Sequence, residues 1–207
     1  MPALAVALHA VNRSEAKPGD KVCVYGCGPI GLGVVLWLLD RGVTDVVAVD
    51  ISQERLERAA ALGAQAVLKA DTDDVPARLK ELHGTARTLS REAVATNVFI
   101  DAAGAPPVVP QIVSMAPVHA RLVVLAAYMK PIELHLGAML TTEMTLTTAM
   151  GYPTEMPDVL AALPRLQEKA GALISHRYAF DDILEAVGVA GTPQSAKVMV
   201  EFDKAGA

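Results

Sequence analysis

Three glycines and one aspartate carry the chemistry legible in this chain. Gly26, Gly28 and Gly31 stand in the run Val22-Cys23-Val24-Tyr25-Gly26-Cys27-Gly28-Pro29-Ile30-Gly31, and Asp50 closes the next apolar run, 19 residues beyond Gly31 (50 − 31). A glycine at position 26 allows a tight turn, and one at 28 lets bare backbone approach a pyrophosphate. Gly31 lets a helix pack close against the preceding strand, with its N-terminal amides facing the phosphate charge. A carboxylate about 20 residues further on is placed to accept hydrogen bonds from the hydroxyls of an adenosine ribose. It also repels a 2′-phosphate, so the pattern favours NAD over NADP. Two plainer readings stand beside this one. The glycines could form the turn of another α/β protein, and Asp50 could cap the turn that follows it. A methyltransferase would place an acid just before the first glycine, where Val24 and Tyr25 stand.

These residues require strands and helices in a fixed order. Lys17-Pro18-Gly19-Asp20 turns into a strand at Lys21 to Tyr25, and a helix from Pro29 to about Arg41 accepts Pro29 in its first turn. A Val-rich strand, Val43 to Asp50, is followed by a helix capped by Ser52 and ended by Gly63, then by a short strand, Ala66 to Leu68. From Asp71 to Thr96 the chain is charged and less regular, with one helix expected near Pro76 to Leu82. Strands follow at Asn97 to Asp101, Arg121 to Ala126 and Thr145 to Met150, with a helix between Pro110 and Pro117. This alternation predicts an α/β fold: a doubly wound, parallel Rossmann sheet in the order 3-2-1-4-5-6. After Gly151 the pattern predicts a helix, an extended segment at Leu173 to Phe180, a second helix and a terminal strand at Ala196 to Phe202. That is a small C-terminal α/β extension.

Composition fits the same picture and excludes others. The chain has 207 residues, 52% of them hydrophobic, and a mean hydropathy of +0.35. Parallel strands covered on both faces account for that. No apolar run approaches the roughly 18 residues of a membrane span, and no export signal opens the chain, so no membrane partner is expected. A net charge of −5 argues against nucleic acid as a partner. Cys23 and Cys27 are the only cysteines; they make neither a disulfide framework nor a zinc site, and point to a reducing, cytoplasmic compartment. Cys27, at a helix N-terminus, could be reactive or could simply fill space. His83, His119 and His135 have no partner at metal-ligand spacing, His9 and His176 read as structural, and Asp71, Asp73 and Asp74 as a solvated loop, so no metal ligand and no catalytic residue is assigned.

The runs Ala3-Leu4-Ala5-Val6-Ala7-Leu8-His9-Ala10-Val11, Lys17-Pro18-Gly19-Asp20-Lys21-Val22, Gly26-Cys27-Gly28-Pro29-Ile30-Gly31, Ala60-Ala61-Leu62-Gly63-Ala64 and Asp101-Ala102-Ala103-Gly104 resemble the medium-chain, zinc-dependent alcohol and polyol dehydrogenases. The sorbitol, butanediol and threonine dehydrogenase branch is the nearest match, and Leu173-Ile174-Ser175-His176 and Ala196-Lys197-Val198 are similar to the closing segments of that family. The resemblance implies hydride transfer between an alcohol and NAD. It implies cofactor contacts at Gly26, Gly28, Pro29, Ile30, Gly31, Asp50, Ile51 and Arg55, at Ala102, Ala103 and Gly104, at Ala126 and Ala127, at Ala149 and Met150, and at Lys197. Arg55 could equally be a solvated helix residue, and Lys197 a surface charge.

Family members carry a preceding catalytic domain with the zinc ligands, which this sequence does not include. The expected organisation is therefore residues 1–16 as a helix of that catalytic domain, 17–151 as the NAD-binding domain, and 152–207 as the returning part of the catalytic domain. Zinc is expected only in a full-length member, as is a small alcohol or polyol substrate, and the chain alone is expected to be inactive. Apolar surface left on residues 2–11 and on the final strand, and an open sheet edge at Met144 to Thr148, favour a homo-oligomer. The alternatives are a non-catalytic nucleotide-binding or interaction module, and a zinc-free, NADPH-dependent reductase.

Overall fold

The computed structural model describes residues 2–89, 91–192 and 195–202. Met1 and residues 203–207, at the outer limits of the two expected flanking segments, lie outside them. The elements run α1 (Pro2–Ser14), β1 (Lys21–Tyr25), α2 (Pro29–Asp40), β2 (Asp45–Asp50), α3 (Gln53–Leu62), β3 (Ala66–Lys69), α4 (Val75–His83), β4 (Thr85–Arg87), β5 (Glu92–Val94) and β6 (Val98–Asp101). They continue α5 (Val108–Met115), β7 (Arg121–Val124), α6 (Leu136–Thr142), β8 (Thr145–Thr148), α7 (Met156–Gly171), β9 (Ile174–Ala179), α8 (Ile183–Ala190) and β10 (Lys197–Glu201).

Six strands form one parallel sheet in the order β3-β2-β1-β6-β7-β8. This is the expected order, because β4 and β5 stand apart as a two-stranded antiparallel hairpin. Successive side chains on a strand point to opposite faces. Val22 and Val24 accordingly join the cluster containing Leu32 and Trp37 of α2. Cys23 and Tyr25 join the cluster with Leu79 of α4 and Ile112 of α5. In the central strands β1, β2 and β6 both faces are buried, which is why they read as unbroken apolar runs.

Three features depart from the sequence expectation. The charged stretch after α4 contains the β4–β5 hairpin, which pairs Arg87 with Glu92; its strands are three residues each, with Thr85, Arg87 and Glu92 exposed and Ala93 and Val94 both buried, so they show no apolar alternation to read. Helix α6 begins at His135, whose ring Nδ1 accepts the Ala138 amide at 2.9 Å, a cap outside the usual Ser, Thr, Asp and Asn set. The third is α1, most of whose apolar side chains are covered. Ala5, Ala7, Ala10 and Val11 have no exposed surface, the Trp37 indole donates to Leu4 O at 2.9 Å, and a Cβ on Gly33 would lie 2.9 Å from that of Ala7. The expected apolar surface on residues 2–11 is therefore largely covered, because α1 packs along α2; what stays open is at Pro2, Ala3 and Val6.

The C-terminal extension is seated on the same side. Ala162 and Leu166 of α7 belong to the core cluster of α1 and α2, and Arg165 makes a two-pronged contact with Asp40 (3.1 and 2.7 Å). Strands β9 and β10 form a separate parallel pair. Among the described residues, no helix is long and apolar enough to cross a membrane.

Candidate functional site: a crevice at the carboxyl ends of the strands

The glycine turn connects β1 to α2 at the point where the strand order reverses. Gly26 takes φ +89°, a region open to glycine, and its amide donates to Val49 O at 2.7 Å. A Cβ there would lie 2.7 Å from the carbonyl carbon of Ala102. Gly28 is the N-cap of α2 but supplies no side-chain cap, and Pro29 follows it in the first turn. A Cβ on Gly28 would meet nothing within 4 Å. The start of α2 is thus uncapped and faces open space, the arrangement that welcomes an anion.

Asp50 ends β2 beside this turn and is 8% exposed. One carboxylate oxygen, Oδ2, accepts the Cys27 amide at 2.6 Å, and Oδ1 accepts the Ser52 amide at 2.9 Å. The turn-capping role considered from the sequence is therefore real, and the same carboxylate lines a cavity of about 250 Å³. Gly26, Gly28, Ile51, Arg55, Ala102 and Ala103 line that cavity as well. Ile51 is largely exposed at its mouth. Ser52 caps α3 and Gly63 ends it in the left-handed region, as expected. Among the described residues Arg55 is held by backbone carbonyls and not by carboxylates: its Nε donates to Ser195 O at 3.0 Å and its Nη2 to Thr192 O at 3.4 Å.

On the other side of the reversal lies a second aspartate, Asp101, at the end of β6. Its Oδ1 accepts the amides of Ala103 (2.9 Å) and Gly104 (3.0 Å), and its Oδ2 accepts the Tyr128 hydroxyl at 2.7 Å. A Cβ on Gly104 would lie 3.0 Å from that of Ala126 and 3.2 Å from Ala127 O. The turns after β6 and β7 are therefore in contact. Ala149 is buried, with its amide bonded to Val124 O at 3.0 Å, and Met150 projects into solvent. Asp101 and Tyr128 were not singled out as site residues from the sequence. The available signal was an acid closing an otherwise apolar strand, as Asp50 does.

Lys197 lies elsewhere. It lines a separate hollow of about 340 Å³ with Pro29, Arg177 and Met199, behind the helix start and not in the Asp50 cavity. Cys27 is buried, and burial, then the nearby Asp50 carboxylate, push its thiol pKa far up. The thiolate is disfavoured, so the space-filling role stands. His83 is buried between Thr96 (2.7 Å) and Asp45 (3.1 Å), and burial lowers its pKa against the raising effect of Asp45. Asp73 and Asp74 are not merely solvated: they accept the Lys69 and Ala77 amides. Among the described residues, no three His, Cys, Asp or Glu side chains gather as a metal site.

A family model for zinc-binding dehydrogenases matches residues 29–165. The chain belongs to that family. It is 34% identical over 181 residues to (R,R)-butanediol dehydrogenase of Bacillus subtilis, covering 87% of this chain and 50% of that protein. It is 26% identical over 207 residues to bovine (Bos taurus) sorbitol dehydrogenase, covering 97% of this chain and 54% of the relative. The X-ray structure of the Bacillus subtilis 2R,3R-butanediol dehydrogenase superposes with a TM-score of 0.84 at 30% identity, over 97% of this chain and 56% of that one. The chain thus spans about half the length of the relatives it matches. What this zinc-binding dehydrogenase chain contributes is the cofactor-binding unit, and the described residues contain no set of side chains that fits the zinc.

Proposed function

We propose that this chain is the NAD-binding part of an alcohol or polyol dehydrogenase. One observation carries the reading: the uncapped start of α2 opens at Gly28 directly beside the Asp50 carboxylate. NAD would supply the hydride acceptor. The amides at the start of α2, at Ile30 and Gly31, would hold its pyrophosphate, Asp50 would accept from the adenosine ribose hydroxyls, and Ile51 would cover the adenine. The small residues Ala102, Ala103, Gly104, Ala126, Ala127 and Ala149 leave room for a planar ring along the carboxyl ends of β6, β7 and β8. Arg55, whose guanidinium is held by two backbone carbonyls, walls the adenosine end. Lys197, next to Pro29, is a candidate for the pyrophosphate only if its long side chain swings round the helix start.

In this reading residues 1–16 and 152–207 belong with a catalytic domain that supplies the zinc and the alcohol or polyol substrate, residues 17–151 bind the cofactor, and the chain alone binds NAD without oxidising alcohol. Two buried free thiols, Cys23 and Cys27, suit a reducing cytoplasm. Calorimetry with NAD and NADP tests the proposal: saturable binding of NAD, and weaker binding of NADP, is expected. Tighter NADP binding would favour the reductase alternative, and no heat with either would overturn the cofactor role.

A further inference from the structure

A second buried carboxylate, Asp101, lies outside the lining of the Asp50 cavity. Asp101 has no exposed surface, and among the described residues its hydrogen-bond partners are two amides and one phenol, with no cation. A buried anion is costly unless donors satisfy it. At the matching register position the neighbouring β7 carries an apolar residue, Val124. Its donors come from the turn after β6 (Ala103 and Gly104) and from the loop after β7 (Tyr128). The Tyr128 hydroxyl also reaches back to Ala105 O at 3.2 Å.

These turns are where the second half of a dinucleotide would lie. The strand order runs outward as β1-β2-β3 on one side and β6-β7-β8 on the other. Asp50 holds the adenosine end over β2 and the glycine turn takes the diphosphate over β1, so the nicotinamide half must continue over β6 and β7. The turn after β6 is wedged there: a Cβ on Gly26 would meet it at 2.7 Å from one side, and its own Gly104 meets Ala126 from the other. We propose that Asp101 and Tyr128 are positioning residues for the nicotinamide half of the cofactor, an inference that rests on the dinucleotide reading above. Asp101 fixes the turn amides, and Tyr128 ties the loop after β7 to the same carboxylate, so the two walls move as one. Burial, then the hydrogen bond and charge of Asp101, push the Tyr128 phenol pKa well up, which keeps it a donor.

The test compares Tyr128→Phe and Asp101→Asn with wild type in the whole chain, using calorimetry with NADH and with ADP, which lacks the nicotinamide half. Tyr128→Phe keeps the ring and should fold even if Asp101→Asn does not. It is expected to weaken NADH binding by about tenfold, the equivalent of one hydrogen bond, while ADP affinity stays within about twofold. The emission spectrum of bound NADH is expected to shift towards that of free NADH. Equal losses for both ligands would mark a merely structural role, and unchanged NADH binding and emission would show an idle pair; either overturns the inference. A wild-type chain that binds ADP and NADH equally well overturns it too. One that binds neither refutes the dinucleotide reading on which it stands.

Discussion

The position of a methyl group on Gly31 falls 1.7 Å from the carbonyl oxygen of Gly26. No side chain can occupy that space, so helix and turn meet face to face only because position 31 carries a hydrogen in place of a methyl group. Gly31→Ala must push α2 away from β1 and is expected to destabilise the fold by about 3 kcal/mol or more. Chemical denaturation will measure it.

Gly28 makes the opposite case. It has φ −68°, and a Cβ there meets nothing within 4 Å, so Gly28→Ala should leave the melting temperature within about 2 °C of wild type. If a diphosphate lies against this backbone, the added methyl takes its place, and NAD affinity falls by at least about tenfold. A variant that is stable yet binds NAD normally would place the phosphate elsewhere.

Asp50 does two jobs, and Asp50→Asn separates them. The amide oxygen can still accept one backbone N–H, but the negative charge is gone while Arg55 remains beside the cavity. The ratio of NAD to NADP affinity is expected to fall by about tenfold, and parallel titrations with the two cofactors read it directly.

Glu155 sets an acid limit on stability. Burial alone would raise its pKa, but hydrogen bonds from His9 (2.7 Å), the Thr154 amide and Asn12, with the charge of His9, bring it down to about 2 from an ordinary 4.5. A folded-state pKa below the unfolded one stabilises the protein above about pH 4.5, and that contribution is lost as pH falls from 4.5 towards 2. The amount is on the order of 3 kcal/mol. Glu155→Gln is expected to lower stability at neutral pH and to flatten the difference from wild type across that window. Thermal melts at a series of pH values check both.

The edge strand β8 is where self-association is expected. The amides of Thr145 and Ala149 point inward to β7, so those of Leu146 and Thr148 face outward. Arg13 already occupies the Thr148 carbonyl (3.2 Å), which leaves a short free edge. Sedimentation is expected to find a dimer that Thr148→Pro returns to monomer.

What could be read from the sequence was whatever rests on local spacing. The path from β1 through the glycines to Asp50 is dictated within about 30 residues, and the sheet order follows from alternation. The missed features depend on distant partners. Arg55 meets Ser195, 140 positions away, and Asp101 meets Tyr128, 27 away; no pattern within a strand or helix announces either pair. The covering of helix α1 is hidden from the sequence for the same reason. Its apolar character is visible in the sequence, but its cover, the Gly33 notch and the Trp37 indole, is apparent only in three dimensions.

That burial of α1 has a practical meaning for anyone trimming this molecule. A nucleotide-binding piece begun at residue 17 would strip the sheath from Gly33 and Trp37, and such a fragment would clump before it could be assayed.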